Sequence, residues 1–387
     1  MNAVGRSAGA GERRLKDLLV TSHTPVLGSG QAVRTYGVAR ALAANGGLTL
    51  LYKRFGADEP DGAFRAIDGI ELCEAVPSRG PRRLYTYAAA RLGGVPWGFA
   101  RGASSELSAE AARLAQEPGR GRVIADGPTA AAALARLARR RQVIYNAHNI
   151  ESSFRHELTS RGARERATMR AIERRVLADF HESWMVSRAD MEAARELCPE
   201  ARLRYVPNVV DVAAIMPVRP AVQERRALFV ASFAYEPNRR GLRFLLEEVF
   251  PRVWAELPDA RLTLVGTGLH ESPSSDPRVE MRGFVDDLRT AYTDASCAVV
   301  PLLQGGGTPL KLIEALAYGL PVIATARAAA GLELRDGEHC LIASDGAAFA
   351  AALVGVLRAG APDLARRGRE LAGERYSIET LTALLAR

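Results

Sequence analysis

The sequence predicts an α/β protein made of two doubly wound, parallel-sheet domains in tandem, and three observations predict it. The chain has 387 residues, more than one hydrophobic core ordinarily organises. Short apolar, β-branched runs alternate with longer helical patterns from Asp17 onward, as parallel strands joined by crossover helices do. The alternation stops at residues 208–224, a segment that with Pro207 carries three prolines and no periodicity, and then restarts.

The elements follow in chain order. Residues 1–16 are rich in Gly, Ala and Arg without an apolar centre, and read as a mobile tail rather than a secretory signal or anchor. Strands are expected at 17–22, 49–53, 122–126, 142–146, 183–186 and 203–206, with helices between them such as 31–44 and 129–139. Residues 17–207 thus form an N-terminal domain and 208–225 a linker. The C-terminal domain, 226–361, has expected strands at 227–231, 261–265, 279–282, 297–301, 321–324 and 340–343. Residues 362–387 are helical, with the option of crossing back onto the first domain.

Composition narrows the function classes. Cys73, Cys198, Cys297 and Cys340 lie far apart and lack zinc-ribbon or redox spacing, so they read as reduced packing residues of a cytoplasmic protein. The best apolar window, 312–326, contains Glu314 and Pro321 and is too short to span a bilayer. The net charge of +8 is uneven: residues 1–207 hold 32 Lys and Arg against 22 Asp and Glu, the rest 20 against 22. A basic first half suits an anionic partner such as an acidic lipid at the inner membrane face, a phosphorylated acceptor or nucleic acid; an arginine-rich composition explains the same count without a partner.

The segment of greatest chemical content runs from Val299 to Ala324. A strand leads into Gly305, Gly306 and Gly307; a helix starts near Thr308 and ends at Gly319; Pro321 opens the next strand. Glycines let backbone amides approach an oxyanion, and a helix start adds free N–H groups and a positive dipole end. A diphosphate suits such a cradle, and Glu314 lies far enough along the helix to reach an attached ribose. Taken alone, the glycine triplet equally describes a tight turn in any Rossmann-like domain.

The whole segment resembles the donor-binding signature of retaining GT-B glycosyltransferases, family four (glycosyl transferases group 1). Other stretches carry the resemblance in the expected order: Leu228 to Phe233 with Pro237 to Gly241, Leu264 to Gly268, Arg282 to Leu288, and a hinge motif from Val206 to Asp211. The family implies the GT-B fold, two Rossmann-like domains facing each other across a cleft. It implies a glycosyltransferase dependent on a nucleotide-diphosphate sugar in UDP, GDP or dTDP form. Gly283, Phe284 and Val285 would meet the base, Glu314 the ribose, and Gly306, Gly307, Thr308, Pro309 and Leu310 the phosphates, with Gly266 in the neighbouring glycine loop. The chain departs from the family twice. Where a first acidic residue usually precedes Glu314 stands Gly306, so no carboxylate there grips the sugar. Ser232 stands where an arginine is usual, leaving Arg239 or Arg240, with Lys311 in reserve, to neutralise the diphosphate.

In the first half, Gly28, Ser29 and Gly30 follow the first strand and resemble the loop that caps the family's cleft, Ser29 being a good N-cap. His148 matches the cleft histidine, with Asn149 and Glu151 beside it and Arg34 on the acceptor side; the catalytic expectation rests on His148, Arg240 and Glu314. Arg82 to Phe99 mixes basic and aromatic residues, suited to a membrane interface or an acceptor. The acceptor class is a small molecule, a glycan or a lipid-linked species. Retention would let a departing phosphate oxygen take the acceptor proton, so no pair of catalytic carboxylates is needed. No Asp-X-Asp pattern calls for a metal, and no cofactor beyond the donor is expected. The alternatives are a nucleotide-sugar epimerase on the same fold and a basic nucleic-acid-binding module, the latter without a recognisable motif.

Overall fold

The computed structural model describes residues 15–54, 57–76, 105–153, 160–305 and 307–386. Residues 1–14, the 82–99 stretch and Gly306 lie outside these. Among the described residues two wholly parallel sheets form. The first has strand order β3-β2-β1-β4-β5-β6-β7, from β1 (Lys16–Thr21), β2 (Leu48–Tyr52), β3 (Ile70–Glu74), β4 (Arg120–Asp126), β5 (Ile144–Asn146), β6 (Glu182–Met185) and β7 (Leu203–Tyr205). The second has order β10-β9-β8-β11-β12-β13, from β8 (Arg226–Val230), β9 (Arg261–Val265), β10 (Val279–Gly283), β11 (Cys297–Val300), β12 (Val322–Thr325) and β13 (Leu341–Ala343). Every expected strand is present. Lys16, counted in the tail, begins β1, and β3 is an additional edge strand. Its residues are mostly half-buried, so it lacks the continuous apolar run that betrays a central parallel strand.

Each sheet is packed on both faces. Val20, Val123 and Tyr145 lie in one core of the first sheet and Leu19, Leu42 and Trp184 in the other; Phe229 and Leu262, and Leu228 and Leu316, do the same for the second. The helix Ile378–Leu385 sends Ile378, Leu381 and Leu385 into the first domain's core beside Val38 and Leu42. Polar contacts fix it there: Arg122 Nη1 donates to the Leu385 carbonyl at 2.7 Å, and Asn45 Nδ2 to that of Thr382 at 2.9 Å. The two domains are therefore joined both at residues 206–211 and at the C-terminal helix.

The helix that follows the glycine triplet spans Leu310–Tyr318, two residues shorter at its start than expected, because Pro309 is extended and serves as N-cap. Gly319 ends it in the left-handed conformation, φ 79°, where a side chain would be strained. Among the described residues no single helix is long and apolar enough to cross a membrane.

Candidate active site

Parallel register sets the N-terminal half of the site. The last residues of β1, β4 and β5 form one row, Thr21 opposite Asp126 and Asp126 opposite Asn146, at the strand ends where open α/β sheets bind ligands. Asp126 is fully buried. One carboxylate oxygen accepts from Asn146 Nδ2 at 2.7 Å and lies 2.9 Å from His148 Nε2; the other accepts from Thr35 Oγ1 at 2.6 Å. Burial opposes the charge, yet the imidazoles of His148 and His23 and the Thr35 hydroxyl hold this carboxyl well below the usual range. Gly127, at φ 79°, makes room for His148: a Cβ there would stand 2.9 Å from the ring's Cε1. His23 joins the cluster, with Nδ1 2.8 Å from Thr21 Oγ1 and its pKa lowered by burial against the pull of Asp126.

Arg34 is a wiring residue rather than an acceptor contact. It is 2% exposed and donates to Asn146 Oδ1 at 2.6 Å, Asn208 Oδ1 at 3.0 Å and the Val206 carbonyl at 3.1 Å. Burial lowers its pKa to about 10. Asn208 in turn donates to Thr308 Oγ1 at 2.8 Å. A continuous buried chain thus runs from His148 through Asp126, Asn146, Arg34 and Asn208 to Thr308 in the second domain. Thr308 Oγ1, expected at the phosphates, is engaged in this link.

The cradle itself lies against the histidine. A Cβ on Gly307, φ 67°, would stand 3.3 Å from the His148 carbonyl and 3.8 Å from Asn149 Cβ, while one on Gly30 would lie 3.8 Å from Leu310 Cδ1. The first domain's glycine loop and the second domain's glycine turn therefore face each other over the Leu310–Tyr318 helix start. Gly28 is open, with nothing within 4 Å of a Cβ, and Ser29 Oγ caps the first helix through Ala32 N–H at 3.2 Å. The Asn149 side-chain oxygen is buried without a hydrogen-bond partner among the described residues, and Glu151 opens a short 3-10 turn.

On the donor side, Glu314 accepts from the buried Tyr292 hydroxyl at 3.4 Å, and burial raises its pKa to about 7 despite that bond. Lys311 Nζ donates to Asn238 Oδ1 at 2.5 Å, and burial lowers its pKa to about 7. The two arginines differ. Arg239 is exposed and reaches Glu236 at 2.9 Å; Arg240 also meets Glu236 but turns Nη1 onto Gln304 Oε1 at 2.9 Å, in the loop before the glycines. Gly266 has a packing reason: a Cβ there would meet the Ala231 carbonyl at 1.8 Å. Gly283 is left-handed and Phe284 71% exposed, with Val285 half-buried beside it.

Sequence reasoning did not single out His23, Asp126, Asn146 or Arg327. The first three sit at or just beyond strand ends, which was the available signal. Arg327, just after β12, donates through Nη2 to the Gly305 carbonyl; its own surroundings in the sequence carry no sign of this. A separate cavity of about 710 Å³ lies at the other end of the strands, where β1, β4 and β5 begin, lined by Asp17, Arg120, Arg122 and Arg141. Its arginines are taken up by Asp17, Glu117 and backbone carbonyls, and it is remote from the glycine turn.

Residues 224–359 match the family model described as glycosyl transferases group 1. A phosphatidyl-myo-inositol mannosyltransferase of Mycobacterium leprae is 36% identical over 135 residues, 32% of this chain and 35% of that protein. Its counterpart in Mycolicibacterium smegmatis is 30% identical over 200 residues, 47% and 50% respectively. The chain thus matches half or less of the length of these curated relatives. Among solved structures, a sucrose-phosphate synthase from Thermosynechococcus elongatus superposes with a TM-score of 0.73 at 19% identity, covering 96% of this chain and 97% of that one. Anabaena HepE in complex with UDP-glucose gives 0.66 at 15% identity, covering 96% and 98%. At such identities the likeness speaks for the fold, two Rossmann-like domains in the GT-B arrangement.

Proposed function

We propose, from a C-terminal domain that belongs to the glycosyl transferases group 1 family, that this chain moves a sugar from a nucleotide-diphosphate donor to an acceptor hydroxyl, with retention and without a divalent metal. The observation that carries the proposal is the nearness of Gly307 to the His148 carbonyl and the Asn149 Cβ, which supports reading the glycine turn as a diphosphate cradle that meets the His148 segment across one cleft. In this reading backbone amides of the glycine turn and the charges of Arg240 and Lys311 hold the diphosphate, and Glu314 takes the ribose hydroxyls. Fixed cations of this kind stabilise a leaving diphosphate without a metal. His148, held by Asp126, faces the transferred sugar, and a phosphate oxygen accepts the acceptor proton.

The acceptor is proposed to be lipid-linked. The mannosyltransferase relatives carry phosphatidyl-myo-inositol in their names, and the first domain exposes Arg136, Arg170, Arg174 and Arg175 on adjoining helices and Arg140 in the turn after one of them, a charge suited to anionic lipid at the cytoplasmic membrane face. The deciding experiment is a thermal-shift screen against UDP, GDP, ADP, dTDP and their sugars, followed by an assay for nucleoside diphosphate release. A true donor raises the melting temperature by mass action and is consumed quickly only when an acceptor is added. Release without an acceptor would favour an epimerase or hydrolase, and no stabilisation by any nucleotide would sink the proposal.

A further inference from the structure

Three successive amides just after His148 each donate to a buried carboxylate from another element. Ile150 N–H meets Asp190 Oδ1 at 3.0 Å, Glu151 N–H meets Glu173 Oε1 at 2.5 Å, and Ser152 N–H meets Glu173 Oε2 at 3.2 Å. Glu173 lies on the helix Ser160–Asp179 and is 1% exposed; Asp190 is 5% exposed and is itself pinned by Ser187 Oγ at 2.5 Å. Among the described residues no arginine or lysine is paired with Glu173, and the Ser152 side chain with the Glu151 and Ser152 amides compensates it. A buried carboxylate is costly unless well hydrogen-bonded, whereas charge-assisted bonds are about twice as strong as neutral ones. Ordinary turns are held by neutral partners. This one is gripped from two helices.

We propose that Glu173, assisted by Asp190, is a positioning residue: it fixes the turn 150–152 and thereby sets where His148 and Glu151 stand in the cleft. Burial, with the neighbouring Glu151 charge, raises the Glu173 carboxyl to about 7, and Tyr145, whose buried hydroxyl has no partner among the described residues, feels the same charge. Both observations fit a carboxylate retained for geometry at a cost to solvation. Burial and then the Glu151 charge raise the pKa of Tyr235 in the opposite domain, so the turn stands near the second domain. The role in transfer rests on the glycosyltransferase reading; the clamp itself does not.

The test uses the full chain with Glu173→Gln, which keeps shape but presents an amide N–H₂ to one backbone N–H. Amide hydrogen exchange at residues 150–152 is expected to be slow in the native protein and at least tenfold faster in the variant, about 1.4 kcal/mol, while the Leu310–Tyr318 helix keeps its protection. The His148 ring resonances, followed by NMR, should move in the variant as the turn shifts, with UDP affinity by calorimetry unchanged. Fast exchange at 150–152 in the native protein, or unmoved His148 ring resonances in a folded variant, would overturn the proposal. Should Glu173→Gln fail to fold, Asp190→Asn and the native exchange rates decide the question. A native protein that binds no nucleotide would defeat the glycosyltransferase reading while leaving the exchange test of the clamp intact.

Discussion

Asn208 Nδ2 donates to Thr308 Oγ1 at 2.8 Å, so the residue after the hinge proline holds the loop that opens the donor helix. Both side chains are buried, and Asn208 also receives Arg34. Removing the amide strands two partners. Asn208→Ala is therefore expected to cost about 1–3 kcal/mol of stability, read by denaturant melts, and to weaken UDP binding through a less ordered loop.

Gly127→Ala tests the seat of His148. A Cβ meets the imidazole at 2.9 Å and the position has φ 79°, so the substitution should cost about 1–2 kcal/mol for the left-handed backbone. Displacing the ring should reduce transfer by ~10²-fold, with nucleotide binding nearly unchanged. Steady-state kinetics beside calorimetry separate the two effects; an active variant would show that the imidazole's position is unimportant.

The pH dependence of nucleotide affinity should have two limbs. Burial brings Glu314 up to about 7 and Lys311 down to about 7. Ribose hydroxyls favour the carboxylate, so affinity rises as pH climbs toward 7; a diphosphate favours the ammonium, so affinity falls above 7. Calorimetry with UDP should give a maximum near neutrality, with Glu314→Gln flattening the acid limb and Lys311→Met the alkaline one. Uridine should show the acid limb alone. For the empty protein the linkage has opposite signs. The raised carboxyl destabilises the fold as pH rises from 4.5 to about 7, and the lowered ammonium restores stability as pH rises from about 7 to 10.5.

The two adjacent arginines should separate. Arg239→Ala loses an exposed pair with Glu236 and should change stability and UDP affinity by less than about 0.5 kcal/mol. Arg240→Ala removes the contact with Gln304 and should weaken UDP binding about tenfold, 1.4 kcal/mol. Equal effects from both would deny Arg240 its place at the diphosphate.

Much of the architecture was legible because buried parallel strands announce themselves. Ala227-Leu228-Phe229-Val230 and Leu262-Thr263-Leu264-Val265 read as strands without any partner known, whereas the half-exposed Ile70–Glu74 edge did not. The sequence singled out the glycine turn and His148, and in the fold Gly307 lies near the His148 carbonyl. What stayed hidden depends on contacts between distant segments. Arg34 was expected on the acceptor side, with no sign that Asn146, Val206 and Asn208 close around it, and nothing in the sequence links Thr308, expected at the phosphates, to Asn208. Asp126 and Glu173 looked like ordinary carboxylates, since burial is a property of the folded chain rather than of the residue.

The helix Ile378–Leu385 completes the core of a domain whose other strands end at Tyr205. During synthesis, domains ordinarily fold as they emerge, the first before the second. Here the earlier half keeps Val38 and Leu42 uncovered until the helix Ile378–Leu385 has been made and has left the ribosome, so a premature stop before that helix, though it spares every cleft residue, would leave the first core open.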